Sequence, residues 1–165
     1  MASVTAGQPY AGALEAIDRI LNRESEPDEV LRQVMAILHE RVPNYARVSL
    51  YLVEADELLL GPWAGKGPAG PTRLPVGEAP IGAAVDQSTV QSDNGVGAAD
   101  SWIRARIGVP VLFEGQAVAA IGVDAVEPGA FGNTDRNFLE RVAVLISAHC
   151  LVGWDTGGVP WSDVV

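Results

Sequence analysis

A chain of 165 residues, 48% hydrophobic and 19% charged, fits one globular domain with a buried core rather than a disordered segment. Its formal net charge of −10 argues against nucleic acid as a partner, since phosphate contacts need clustered Arg and Lys, and against anionic membrane surfaces. A single cysteine, Cys150, excludes an internal disulfide, a paired-thiol redox motif and a cysteine zinc site, and two isolated histidines give no metal site.

Residues Tyr10 to Leu21 predict a first helix, with Leu14, Ile17 and Leu21 on one stripe. The run Ser25-Glu26-Pro27-Asp28 is a helix-start signal: a capping hydroxyl, a proline in the first turn, and acids at the positive end of the dipole. The helix it opens carries Leu31, Val34, Met35, Leu38 and Val42 and stops before Pro43. Val48–Val53 and Leu58–Leu60, joined by Glu54-Ala55-Asp56-Glu57, read as a hairpin. The segment LGPWAGKGPAG then reads as a long irregular loop, because Pro removes a backbone donor and Gly admits positive φ. Such loops usually frame a site.

A short strand at Arg73–Val76, a small-residue helix at Ala79–Gln87, a brief strand at Thr89–Ser92 and a Gly/Ala loop at Asp93–Asp100 follow. Trp102–Phe113 and Ala117–Val126 form a second hairpin around Glu114-Gly115-Gln116, with Pro110 expected at a bulge or a free donor slot. A last helix starts at Asn133 or Thr134 and carries Phe138, Leu139, Val142, Leu145 and Ile146. Hairpins with helices at both ends predict an α+β fold on an antiparallel sheet. One domain over residues 1–153 and a tail over 154–165 are expected. The first residues lack the apolar run of a signal peptide, and the longest nearly apolar stretch, Val142–Gly153, is too short to span a bilayer. A cytoplasmic protein is the expectation.

Motif searches exclude familiar chemistry. Gly61–Gly67 has the wrong spacing for a phosphate-binding loop and no Ser or Thr after Lys66. His39-Glu40 has no second His four residues on. What remains is a resemblance: LGPWAGK followed by RLPVGEAPIGAAV resembles the GAF domains of the free methionine-(R)-sulfoxide reductase type, whose pattern runs close to LGPF-GK-x-AC-x-RIPxGxGVCG-x-AV. It continues in Ala98-Ala99-Asp100, Ile107–Pro110, Ile121-Gly122-Val123 and Phe131–Asp135, covering about Leu50 to Ile146. The resemblance implies a GAF-like architecture: a central antiparallel sheet of about six strands, terminal helices on one face and a loop-covered pocket on the other. It also implies a homodimer.

Those enzymes work through cysteines. At the matching positions this chain carries Ile81, Pro71 (or Gly70) and Ala99, none of which can form a sulfenic acid. Cys150, near the end of the last helix, reads as a small buried hydrophobe. Arg106 stands where the family carries an acid suited to an ammonium group, and Arg47 where it carries a tryptophan. The two cations favour an anionic ligand or an internal ion pair. Strand alternation puts Arg104 and Arg106 on one face, read as facing solvent rather than the pocket. Asp124 corresponds to one of the family's paired acids, Asp100 to a loop acid, and Trp63 and Trp102 flank the pocket or plug it.

The expectation drawn from these substitutions is a non-catalytic GAF domain that binds an unidentified small molecule or works as a dimeric regulatory module, without cofactor or metal. Its candidate ligand-binding residues are Arg47, Trp63, Ile81, Asp100, Trp102, Arg106 and Asp124. Two alternatives stand beside it: a free methionine-(R)-sulfoxide reductase-like enzyme with an altered mechanism, and a structural protein whose pocket is filled by its own side chains.

Overall fold

The computed structural model describes residues 2–23, 26–78, 80–95 and 102–150. In chain order these form α1 (Ala2–Leu21), α2 (Pro27–Arg41), β1 (Arg47–Glu54), β2 (Glu57–Gly65), β3 (Arg73–Pro75), α3 (Ile81–Gln87), β4 (Gln91–Asp93), β5 (Ala105–Phe113), β6 (Gln116–Ala125) and α4 (Asn133–Cys150). The strands make one six-stranded sheet in the order β3-β2-β1-β6-β5-β4, every neighbouring pair antiparallel. This is the α+β arrangement that the hairpins and the resemblance imply.

Strand alternation sorts the sheet into two unlike faces. Val48, Leu50 and Leu52 of β1, Ala119, Ile121 and Val123 of β6, and Ile107, Val109 and Val111 of β5 share the larger hydrophobic core with α1, α2 and α4. There α2 lies on β1 and β2, α4 lies on β5, and α1 packs over both helices. Asp135, in the first turn of α4, ties the layer together. Its Oδ1 accepts hydrogen bonds from the Tyr10 and Tyr45 hydroxyls, and its Oδ2 from the Gly132 N–H. The opposite face has a smaller apolar cluster of Tyr51, Leu58, Ile81, Val85 and Ala120, and it carries α3.

Beyond end shifts of up to three residues in α3, β4, β5 and β6, three elements differ from the sequence expectation. First, α1 starts at Ala2 rather than Tyr10, in a stretch with no apolar stripe to announce it. Second, β2 runs through Gly61-Pro62-Trp63-Ala64-Gly65, where an irregular loop is expected. The strand tolerates Pro62 because β3 pairs only with Glu57, Leu58 and Leu59, so beyond them β2 is an edge where the missing N–H costs no ladder bond. Its register against β1 shifts between Ser49 and Tyr51, absorbing the extra residue. Third, α2 begins at Pro27 without a side-chain cap, its N-cap position being Glu26. The expected capping residue Ser25 and the tail 154–165 lie outside the described residues.

Candidate functional site

Three strands bring three charges to one point. Asp124 on β6 faces Arg47 across one ladder and Arg106 across the other. Antiparallel pairing puts directly opposed side chains on the same face, so the carboxylate sits between two guanidinium groups. Its Oδ2 accepts from Arg47 Nε at 2.8 Å and Nη2 at 2.7 Å, and its Oδ1 accepts from Arg106 Nε at 2.6 Å. Arg47 and Asp124 are buried, and the Arg106 side chain is 24% exposed. The remaining arm of Arg47, Nη1, donates to the carbonyl of Pro68, closing the 66–72 segment over the cluster.

Arg47, Ser49 and Tyr51 alternate along β1 and line one small cavity with Pro71, Leu74, Ile81, Arg106, Gly122 and Asp124. The Tyr51 hydroxyl donates to the Pro71 carbonyl at 2.9 Å. Burial, reinforced by the Asp124 charge, pushes that hydroxyl up to about 12, so it stays protonated near neutrality. The cavity holds only about 20 Å³, the room of a single water.

The floor explains the small volume. A Cβ on Gly122 would stand 2.6 Å from Ile81 Cδ1, and one on Gly108 would stand 2.7 Å from Ile81 Cα. Glycine at these paired positions of β5 and β6 lets the start of α3 lie directly on the backbone, and Ile81 fills the space above. At the rim, the Trp102 ring has the Arg47 guanidinium 5.2 Å from its centroid and Lys66 Nζ at 5.7 Å.

Of the residues singled out in the sequence, Arg47, Ile81, Arg106 and Asp124 share the cavity, and Trp102 covers Arg47. Trp63 lies in β2 opposite Ser49 and is not among the lining residues. Asp100 and Ala99 lie outside the described residues, as does the side chain of Cys150. Arg106 corrects the solvent-facing reading, because its cross-strand neighbour is a buried carboxylate that draws the guanidinium inward. Of the two outcomes left open for the arginines, the internal ion pair is present. Ser49, Tyr51 and Gly122 were missed as site residues. Parity would have found them, since they share the face that Arg47 and Asp124 define. Of the residues that the resemblance sets against the family's cysteines, Ile81 and Pro71 line this cavity, and Gly70, the alternative to Pro71, does not. Among the described residues, no group of three or more His, Cys, Asp or Glu is placed to hold a metal ion. Nor is any helix long and apolar enough to cross a membrane.

Sheet order, helix placement and this pocket define the class. The GAF domain family model matches residues 24–149, and the chain belongs to the GAF domain family. Among curated proteins it is similar to the free methionine-R-sulfoxide reductase of Escherichia coli (strain K12), 27% identical over 139 residues, covering 81% of this chain and 83% of that protein. The enzyme of the same name from Saccharomyces cerevisiae is 28% identical over 109 residues, and the match spans 61% of each protein. Among solved structures, the free methionine-R-sulfoxide reductase of Neisseria meningitidis in complex with its substrate superposes with a TM-score of 0.80 at 25% identity, over 89% of this chain and 91% of that one.

These relatives overturn the expectation of a non-catalytic small-molecule or regulatory module: similarity along most of the chain runs to enzymes. The expectation gave three missing thiols more weight than the whole scaffold. Reducing a sulfoxide takes two electrons from thiols, and the reaction does not require both sulfur atoms to be built into the pocket wall.

Proposed function

We propose that this chain is a reductase-type GAF protein that turns over a small free sulfoxide of the methionine class, with thiols delivered from outside the cavity. The observation that carries the reading is similarity to enzymes named free methionine-R-sulfoxide reductase over four-fifths of this chain and of the Escherichia coli protein. The site adds a sheet-backed pocket whose walls carry hydrogen-bond donors and no described thiol. The sulfur chemistry therefore runs on a low-molecular-weight dithiol or a protein dithiol. One thiolate attacks the sulfoxide sulfur, the second thiol closes the disulfide, and the oxygen leaves as water with the two thiol protons. One sulfoxide and two thiols yield one sulfide, one disulfide and one water. The pocket contributes binding, orientation and selection between sulfoxide epimers.

The test is direct. Full-length chain is incubated with racemic free methionine sulfoxide and either dithiothreitol or a thioredoxin system, and methionine and the residual epimers are separated by chiral chromatography. Saturable consumption of the R epimer above the thiol-only background is expected, and Cys150→Ser retains it. Methionine formation no faster than with thiol alone overturns the reading.

A further inference from the structure

The cluster around Asp124 has an imbalance of charge that bears on what can enter. Two guanidinium groups face the buried Asp124 carboxylate, Asp93 on β4 stands opposite Arg106 across the other ladder without an ion pair to it, and Lys66 reaches the same Trp102 ring as Arg47, so among the described residues three cations stand against two acids in a chain of net charge −10. Three of the carboxylate's roughly four acceptor positions are filled, two on Oδ2 by Arg47 and one on Oδ1 by Arg106. A ligand ammonium group reaching the position left on Oδ1 would lie beside both cations.

The donors show the opposite excess. Arg47 uses Nε and Nη2 on Asp124 and Nη1 on Pro68, and has little left to offer. Arg106 uses only Nε on Asp124, and its two terminal nitrogens have no hydrogen-bond partner among the described residues. Ser49 is only 4% exposed and lines the same cavity, and its hydroxyl also lacks a partner among the described residues. A buried hydroxyl left without a partner is costly, and it marks a place where a ligand acceptor or a water belongs. A guanidinium edge and a hydroxyl beside a space of about 20 Å³, the room of one water, match a single carboxylate oxygen reaching in from the partly exposed Arg106 side, not an ammonium.

Resting on the reductase reading above, we propose that the site selects the carboxylate-bearing, non-zwitterionic members of the small-sulfoxide class. The ligand carboxylate is taken by Arg106 with Ser49, and ligands with a free α-ammonium group are discriminated against. Arg106 is then the specificity-determining residue and Asp124 its positioning partner.

Three ligands of one skeleton test this by calorimetry on the full chain, in dilute and in concentrated salt. Methylsulfinylbutanoate carries the carboxylate alone, methionine-R-sulfoxide carries both charges, and the methyl ester of methionine sulfoxide carries the ammonium alone. The expected order is butanoate, then zwitterion, then ester, with at least about a tenfold step between the first two that shrinks as salt is raised. Arg106→Gln, which leaves Asp124 paired to Arg47, removes that step, and Arg106→Lys keeps part of it. Equal or tighter binding of the zwitterion overturns the proposal, as does a preference that survives in Arg106→Gln or no binding of any of the three. The ligand series on the unmodified chain decides the matter even if a variant fails to fold. Turnover is read separately. Butanoate binding without reduction of any sulfoxide overturns the reductase reading and leaves the charge selection standing, whereas preferred reduction of the zwitterion does the reverse.

Discussion

The two faces of the central sheet are built from the same three strands by alternate residues, yet they have little in common. Under α2 and α4 the inward positions of β1, β5 and β6 are Val, Leu, Ile and Ala, and most are fully buried. One position along, the same strands present Arg47, Ser49 and Tyr51, then Arg106 and Gly108, then Ala120, Gly122 and Asp124. The helical face removes apolar area from water, at about 25 cal/mol per Å², and supplies the stability. The other face gives up side-chain volume at two glycines and gathers three charges, two of them buried, features that do little for stability and much for chemistry. The comparison teaches that residue parity along β1 and β6 divides folding from function.

The sharpest way to break that division is Asp124→Asn. It strands two guanidinium groups, one of them buried, and should lower stability by about 3–5 kcal/mol in denaturant unfolding as well as abolishing the ligand selectivity. Ile121→Ala, one face away, should cost about 2–4 kcal/mol by leaving a cavity in the main core, with ligand selectivity intact in what remains folded. Gly108→Ala drives a methyl into the Ile81 Cα and the Pro80 carbonyl, so the backbone of α3 must move. A loss of about 1–3 kcal/mol is expected, larger than for Gly122→Ala, whose nearest obstacle is the movable tip of Ile81. The smallest effect is Tyr51→Phe, which removes the bond to the Pro71 carbonyl at about 1 kcal/mol.

Alkaline titration sharpens the same contrast. Burial, helped by nearby carboxylates, lifts both Tyr10 and Tyr51 to about 12 in the folded chain, against about 10 when unfolded. Between those values the unfolded chain has released protons that the folded one retains. The stability these groups contribute is therefore complete below about pH 10 and lost as pH rises towards about 12. A thermal-melt series should show that decline, and Tyr51→Phe should reduce its slope.

Much of the fold was legible because it rests on periodicity. The stripes of α2 and α4 and the alternation of β1, β5 and β6 are local patterns, and each element lies close to its expected span. The extent of β2 was not, because Pro62 reads as a breaker until the unpaired edge that accommodates it is known. At the site, charged and special residues such as Asp124, Arg47 and Ile81 stood out in the sequence. Arg106 stood among the candidates through the resemblance, but strand alternation alone read it as facing solvent, because its orientation depends on a partner 18 residues away. Ser49 was overlooked although it lies two residues along β1 from Arg47 and so on the same face, because an uncharged hydroxyl in an apolar strand does not stand out. The function went astray where a local absence of sulfur outweighed resemblance along most of the chain.

Ile81 rests on bare backbone at Gly108 and Gly122 and belongs to the small cluster rather than the main core, so its bulk sets the depth of the pocket almost independently of the rest of the domain. A single codon there acts as an adjustable stop. Shortening it to Ala removes bulk directly over those two glycines while every side chain of the layer under α2 and α4 stays in place, so the pocket should deepen where the sheet is barest.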